Sequence, residues 1–332
     1  MLTSCNVASS GVLGTASPRM GRTPHILDLH QAIVTGDMDE MVRLAESGLD
    51  MGCPVRGTTA LSLAVYRGDL HALRVLAQAG APLDRRSKDH LERLETPIIS
   101  AIRLGHREIF QELVRRGARL DLRDFYNQTP LWFAVKEQRL GFVRILLKNG
   151  APIDFTRAAE NPLNIAMQFL GYRGRREMAL ELVAAGVPLT LEDYKGHSPL
   201  YWAMKHVDFE FFRLLVEAGA PLREYEWLAP PHLPRTWQED ADILEWLTEE
   251  SKTPPPLKRQ CRTFIYATLR VQHKTDVRPL VQALTLGPQL PLPQLLLSYL
   301  LLEVPLRCAT ANPPLHNQAQ GETVPPPAPL PL

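Results

Sequence analysis

Apolar residues along the chain recur in pairs of short helical segments, and a glycine follows each pair. In the second segment of a pair the apolar residues lie three and four positions apart, as in Val143, Leu146 and Leu147, which places them on one face of a helix. Successive glycines are separated by 32, 37, 33, 36 and 33 residues, at Gly48, Gly80, Gly117, Gly150, Gly186 and Gly219. A regular period of this length predicts a solenoid in which each helix pair stacks on the next.

Each unit also carries residues that start and end helices. In the clearest unit, residues 128–154, Thr129 can cap the first helix, and Pro130 fits its first turn, where no N–H is needed. Gly150 can adopt the left-handed conformation that ends the second helix. A small residue recurs in the first helix and allows a neighbouring helix to approach closely, at Ala32, Ala64, Ala101, Ala134, Ala166 and Ala203. These signals predict an all-α fold.

The repeated units resemble the ankyrin repeat, in which a TPLHxA helix start is followed by a second helix of pattern VxxLLxxGA. The resemblance extends over residues 24–222 and implies an ankyrin-repeat solenoid of about six repeats. An unrelated helical solenoid is the alternative. The unit that starts at Asn161 carries an insertion, QFLGYRGRREM, between its helices. The histidine of the motif is replaced in several units, by Trp132, Tyr201 and Ser62. We expect Trp132, Tyr201 and Trp202 to pack inside the stack.

After residue 222 the repeat pattern fades. Residues 223–252 contain several prolines and one short amphipathic segment, Asp240–Thr248, and are expected to form a degenerate repeat or a linker. Residues 1–23 and the Pro-rich residues 305–332 are expected to be disordered tails.

The region after this linker contains two short motifs. Leu257, Cys261 and Ile265 are spaced at i, i+4 and i+8, which predicts an apolar stripe along one helix. The sequence LPLP at residues 290–293 precedes a second amphipathic segment. On the wet face of the first helix we expect its basic residues, Lys258, Arg259 and Arg262.

These two motifs resemble those of a SOCS box. Residues 256–265, PLKRQCRTFI, are similar to its Elongin C-binding helix, and LPLP matches its LPxP cullin-selecting motif. Both motifs, C-terminal to an ankyrin-like array, resemble the ankyrin-repeat and SOCS-box family, which implies a small three-helix SOCS box over residues 253–304. In it, Elongin C would bind Leu257, Cys261 and Ile265, and the cullin would bind Leu290, Pro291, Leu292 and Pro293.

The family resemblance implies a substrate-recognition adaptor of an Elongin B/C–cullin–RING ubiquitin ligase. The partners would be Elongin C, Elongin B, a SOCS-box-preferring cullin with its RING-box protein, and an unidentified protein substrate. Two alternatives remain open. Leu257, Cys261 and Ile265 can pack on the last repeat as ordinary core, and the whole chain can be an ankyrin-repeat scaffold whose SOCS-like segment is only a structural cap.

The resemblance also implies which residues would contact the substrate, because ankyrin proteins bind partners through the inner helices and the loops between repeats. The inner-helix positions are Tyr66, Arg67, Arg103, Leu104, Lys136, Glu137, Lys205 and His206. The loop positions are Phe125, Tyr126, Tyr194, Lys195 and His197. Aromatic and cationic side chains are typical of interface hot spots, so we expect the substrate to offer a segment that is acidic or accepts aromatic side chains.

Composition narrows the functional classes further. A formal net charge of +1 argues against nucleic-acid binding, which favours concentrated positive charge. Four scattered cysteines and ten histidines show no metal-ligand spacing, and no nucleophile or phosphate-binding motif is present, so we expect no cofactor, no metal and no enzymatic activity. Prolines interrupt the most apolar stretch, residues 280–304, which therefore predicts no membrane span. We expect a cytoplasmic protein.

Overall fold

The computed structural model describes residues 25–88, 92–153, 155, 161–168, 172–222, 228–252, 254–286 and 300–301. Within these residues, six pairs of helices follow one another along the chain. The pairs are α1 (Ile26–Thr35) with α2 (Met38–Ala45), α3 (Ala60–Arg67) with α4 (Leu70–Gln78), α5 (Pro97–Leu104) with α6 (Arg107–Arg115), α7 (Pro130–Lys136) with α8 (Leu140–Lys148), α9 (Pro162–Gln168) with α10 (Tyr172–Ala185), and α11 (Pro199–Lys205) with α12 (Phe209–Glu217).

The helix pairs stack in sequence order and share one continuous hydrophobic core. The first helices of successive pairs contact one another from α1 to α11, and second helices pack beside them, α2 on α4, α4 on α6 and α8 on α10. The recurring small residues of the first helices are fully buried at this contact: Ala64, Ala101, Ala134, Ala166 and Ala203. The predicted solenoid is therefore confirmed.

Side chains cap the first helices as the sequence predicts. The hydroxyl oxygens of Thr59, Thr129 and Ser198 accept hydrogen bonds from backbone N–H groups three residues later, at 3.2, 3.2 and 3.3 Å. These bonds satisfy donors that the helix itself leaves unpaired.

A residue in the left-handed conformation ends most of the first helices. The five such residues are Gly36, Gly68, Gly105, Gln138 and Val207. The N–H of the next residue donates to the carbonyl of the recurring alanine, as from Asp208 to Ala203 at 3.1 Å. Glycine suits this conformation because it has no Cβ. For the β-branched Val207 the same conformation is unfavourable.

Two local features depart from the regular pattern. A short antiparallel pair of strands, β1 (Ser87–Lys88) and β2 (Leu94–Glu95), precedes α5. The insertion predicted in the fifth unit does not lie wholly between its helices, because α10 already begins at Tyr172 and is 14 residues long. Part of the inserted sequence thus lengthens the second helix.

Beyond the array, a 3-10 turn (Pro230–His232) leads into α13 (Arg235–Gln238) and α14 (Ala241–Lys252). Helix α14 begins one residue after the start of the amphipathic segment predicted at 240–248 and extends beyond its end to Lys252. The buried Trp237 fastens this region to the last repeat by packing edge-on against Phe209 and Phe212, with ring centroids 5.3 Å apart in both cases.

The last described helices are α15 (Leu257–His273) and α16 (Arg278–Leu286). With Leu300 and Leu301 they form a second, smaller core centred on Tyr266, Val277 and Val281. The remainder of the third helix predicted for this region, and the LPLP motif, lie outside the described residues. None of the described helices combines the length and the apolar composition needed to cross a bilayer.

Candidate protein-binding sites

Helix α15 is attached to the repeats through its arginines. Arg259 pairs with Glu217 at 3.1 Å and with Glu250, and its side chain is almost fully buried. Arg262 is only 1% exposed and donates to the carbonyls of Ala218 (2.8 Å) and Leu300 (3.0 Å). The prediction that these two arginines lie on the wet face of the helix is therefore wrong. Backbone carbonyls bind Arg262 and carboxylates bind Arg259, and these contacts offset much of the cost of burying the two guanidinium groups.

The opposite face of α15 carries apolar residues into solvent. Leu257 and Phe264 are each 73% exposed, Val271 is 69% exposed, and Cys261 is exposed as well. These residues are separated by four, three and seven positions, so they form one line along the helix. We call Leu257, Cys261, Phe264 and Val271 the exposed stripe. Its exposure excludes the alternative that Leu257 and Cys261 pack on the last repeat as core.

Ile265 has a different environment from the other two predicted Elongin C contacts. Its side chain is half-buried and packs against the small core around Tyr266. It therefore lies beside the exposed stripe and not within it. Val271 was not among the residues that the sequence singled out, because it falls beyond the length of the short motif. The predicted cullin contacts, Leu290, Pro291, Leu292 and Pro293, lie outside the described residues.

Two loops of the array, residues 121–128 and 191–197, are each braced by a buried aspartate. Asp124 Oδ1 accepts hydrogen bonds from the N–H groups of Tyr126 (2.9 Å) and Gln128 (2.7 Å). Asp193 Oδ1 accepts from those of Lys195 (2.8 Å) and His197 (2.9 Å). Burial raises the pKa of Asp193, but these hydrogen bonds outweigh it, and the pKa is lowered overall. The carboxylates thus fix both loops in one shape.

The braced loops hold aromatic side chains in solvent. Phe125 and Tyr126 are 72% and 63% exposed and pack edge to face, with ring centroids 5.4 Å apart. Tyr194 is 82% exposed, and the Lys195 ammonium lies 5.5 Å from its ring centroid. His197 is half-buried and stacks on Tyr201 at 3.9 Å. Large aromatic groups held rigidly in water lose little entropy when a partner covers them.

The predicted contacts on the inner helices fall into two groups. Arg67, Leu104, Lys136 and Lys205 are exposed, and the Lys136 ammonium lies 4.9 Å from the Trp132 ring centroid. The others are partly covered or engaged within the fold: Tyr66, Arg103, Glu137 and His206.

Two members of the second group already have strong partners. Arg103 pairs at 2.9 Å with Glu95, which is almost fully buried. His206 Nε2 lies 2.5 Å from the Met167 carbonyl. Reversing the charge of Arg103 would consequently disturb a buried ion pair, so this residue is a poor probe of partner binding.

Of the three aromatic residues expected to pack inside the stack, only one is buried. Trp132 is buried, whereas Tyr201 and Trp202 are half-exposed. Tyr201 faces an open groove of about 610 Å³ between α11 and the turn that follows the array. Trp202 donates from Nε1 to Asp193 Oδ2 at 3.2 Å and so supports the loop that carries Tyr194.

The sequence matches a protein-family model that describes three copies of the ankyrin repeat, over residues 29–124 and again over residues 86–157. The solved ankyrin-repeat domain of Acinetobacter baumannii AYE superposes on 58% of this chain and 98% of its own length, with a TM-score of 0.52 and 24% identity.

This chain contains ankyrin repeats.

Relatives of the ankyrin repeats are found in proteins of different kinds. Inversin from dog is 27% identical over 182 residues, which are 54% of this chain and 16% of inversin. Ankyrin repeat and SOCS box protein 11 from mouse is 30% identical over 107 residues, 32% of each chain. The chain thus matches a third or less of these two proteins. Ankyrin repeats act in protein–protein interaction, and they present extended surfaces for it.

Several residues that organise the ankyrin repeats escaped the sequence reasoning. His30 occupies the histidine position of the motif in the first repeat, within Leu29-His30-Gln31-Ala32, and is buried. Asp124 and Asp193 occupy the same place in two loops of similar sequence, DFYNQTP and DYKGHSP, and this likeness is a signal that could have found them.

Proposed function

We propose that this chain is a substrate-recognition adaptor of an Elongin B/C–cullin–RING ubiquitin ligase. In this proposal the ankyrin repeats bind the target protein, and the region from residue 253 is a SOCS box that binds Elongin C and a cullin. The adaptor itself carries out no chemistry. It holds the target close to the ubiquitin-transferring subunits.

The observation that carries the proposal is the orientation of α15. An amphipathic helix normally turns its apolar face inward and its charges outward, whereas α15 buries Arg259 and Arg262 and leaves Leu257 and Phe264 in water. A line of apolar residues on a rigidly attached helix suits insertion into a groove of a partner protein. Leu257 and Cys261 are two of the three residues that the SOCS-box resemblance assigns to Elongin C binding.

Two further points support the same function. Mouse ankyrin repeat and SOCS box protein 11, which is similar to this chain over 107 residues, pairs the two modules in its name. The braced loops lie on the ankyrin repeats and the exposed stripe lies on α15, so different residues form the two surfaces. An adaptor needs two such surfaces, because it must hold the target and the ligase at the same time.

The alternative is a scaffold whose C-terminal helices only cap the array. The bond of Arg262 to the Ala218 carbonyl of the last repeat is one that a cap would make. A cap, however, has no need of exposed leucine and phenylalanine on its outer face. Binding of Elongin C therefore separates the two functions.

The test is to measure binding of the purified full-length chain to the Elongin B/C heterodimer by calorimetry, for wild type and a Leu257→Ala/Cys261→Ala variant. Full burial of one leucine contributes about 1.5–3 kcal/mol, so we expect the variant to bind ten- to hundredfold more weakly. Its thermal stability should not change, because both side chains are exposed.

The matched control is Val34→Ala, which removes a 47% exposed aliphatic side chain from α1 and should leave Elongin binding unchanged. If the wild-type chain does not bind Elongin B/C, the adaptor function is wrong and the C-terminal helices are a structural cap.

A further inference from the structure

Val207 is held in a conformation that its side chain disfavours. It has φ +58° at the end of α11, where the corresponding residues of three other repeats are Gly36, Gly68 and Gly105. A β-branched residue in the left-handed region is strained. Its side chain is also 47% exposed, so burial within the chain compensates little of this strain. A residue that is both strained and exposed points to a role outside folding.

Val207 lies at the edge of the groove between the last ankyrin repeat and the segment that follows it. On the repeat side, Tyr201, Met204 and Lys205 from α11 line the groove, and on the other side His232 and Leu233 do so. The volume of about 610 Å³ is within the range of pockets that bind small molecules, so the groove has room for one large side chain.

The far wall of the groove is fixed in place. Leu233 is buried, and its carbonyl accepts a hydrogen bond from Gln238 Nε2 at 2.6 Å. Trp237, in the same short segment, packs edge-on against two aromatic rings of the last repeat. The groove therefore exists before any partner arrives, which reduces the entropy lost on binding.

The groove combines apolar surface with positive charge. Met204, Val207 and Leu233 are apolar, Tyr201 offers an aromatic ring, and Lys205 is an exposed cation. No carboxylate is among the described residues that line it.

His197 also lines the groove, and Asp193 lies beside it, with Oδ2 3.5 Å from His197 Nδ1. Its carboxylate accepts hydrogen bonds from Trp202 Nε1 and from the backbone of Lys195 and His197. The carboxylate is buried beneath the loop and its oxygens already accept these bonds, so Lys205 is the lining residue whose charge a partner can reach.

We propose that this groove binds one large apolar side chain of an extended protein segment, with a carboxylate beside it in the segment. The apolar side chain would lie against Val207, Tyr201 and Met204, and the carboxylate would pair with Lys205. This proposal deepens the proposed function, because it states the chemistry of the target segment that the ankyrin repeats hold.

The experiment selects random twelve-residue peptides, displayed on phage, against the full-length chain. The peptides that are enriched should carry Asp or Glu within three residues of a large apolar side chain. Their affinity is then measured by fluorescence anisotropy for wild type and for Lys205→Glu and Val207→Gly. We expect each substitution to weaken binding about tenfold or more, through lost charge pairing and lost apolar contact respectively.

The Val207→Gly variant distinguishes binding from folding. Since glycine relieves the left-handed strain, its melting temperature should stay level or rise by about 2–4 °C while peptide binding weakens. Gln138→Gly is the control, because Gln138 holds the corresponding left-handed position of another repeat (φ +55°) and does not line the groove. It should leave peptide affinity within about twofold of wild type.

The groove proposal is overturned if the enriched peptides have no acidic preference, if none are enriched, or if Val207→Gly binds them like wild type. A lower melting temperature for Val207→Gly would equally overturn the argument from strain. Elongin binding depends on α15 and is measured separately. A chain that selects acidic–apolar peptides but does not bind Elongin C keeps the groove and loses the adaptor function, and the reverse result rejects only the groove.

Discussion

His30 lies in the first ankyrin repeat and is only 8% exposed, and burial lowers its pKa from 6.5 to about 4. Its Nε2 atom has no hydrogen-bond partner among the described residues. The folded chain therefore keeps this residue neutral at a pH where the unfolded chain protonates it. As the pH falls from about 6.5 to about 4, the unfolded state gains protons that the folded state does not, so stability decreases.

We predict that wild type loses about 2 kcal/mol of unfolding free energy between pH 7 and pH 5 through His30 alone. A His30→Leu variant should lose less over the same interval, because it removes the group that titrates only in the unfolded chain. Urea unfolding at the two pH values measures this difference. His71→Leu, at an exposed position of α4, should keep the wild-type pH dependence. Equal slopes for wild type and His30→Leu would show that His30 is not the source.

Two glycines that end second helices of the repeats show how closely the C-terminal helix α15 approaches the array. Gly117 and Gly219 both have left-handed backbones, with φ +83° and +103°. A Cβ at Gly117 would have no other atom within 4 Å, whereas a Cβ at Gly219 would lie 2.4 Å from Thr263 Oγ1 on α15. Gly219 therefore ends α12 and also allows α15 to approach the array.

We predict that Gly117→Ala costs about 1–2 kcal/mol, which is the left-handed strain alone. Gly219→Ala should cost more and should lower the hydrogen-exchange protection of α15, because Thr263 has to move. Exchange measured by mass spectrometry on both variants makes the comparison. Equal costs, with α15 protected equally in both, would contradict the close approach seen here.

Helix α15 also shows the limit of reasoning from one element. The spacing of Leu257, Cys261 and Ile265 predicts an amphipathic helix, and this helix is present. The spacing does not determine which face turns inward, because that depends on whether the array offers partners for arginine. The carbonyl of Ala218 and the carboxylate of Glu217 are such partners. They come from the end of α12, about forty residues earlier in the chain.

At the scale of the whole molecule, ion pairs and backbone hydrogen bonds join the C-terminal helices to the middle of the array. Arg278 pairs with Asp276 at 2.6 Å and with Glu181 on α10 at 3.0 Å, and Glu181 in turn pairs with Arg144 on α8. The N–H of Ile153 donates to the carbonyl of Lys274 at 2.8 Å. The last two helices thus stabilise repeats four and five directly.

We predict that Arg278→Ala lowers hydrogen-exchange protection in α10, α15 and α16 and leaves α1 to α4 unchanged. The substitution leaves the buried Asp276 without the arginine that pairs with it. Effects in a repeat array decay beyond the neighbouring units, so the first repeats should not respond. Arg43→Ala is the control, because it removes an exposed arginine paired with Glu40 within α2, and such pairs contribute little. Loss of protection in α1 to α4 would show that the array responds as one unit.

The sequence by itself determined the repeat. Apolar periodicity, capping Thr and Ser residues, and glycines about every 33 residues are local signals that the chain carries in each unit. They suffice for the ankyrin solenoid because each repeat packs only on its neighbours. Only the tertiary structure decided which side of α15 is exposed and which aromatic residues are exposed to solvent. It also decided where a groove forms between α11 and the turn that follows the array. Each of these depends on contacts between residues far apart in sequence, such as Arg262 with Ala218 and Arg278 with Glu181, and a pattern along the chain does not encode their geometry.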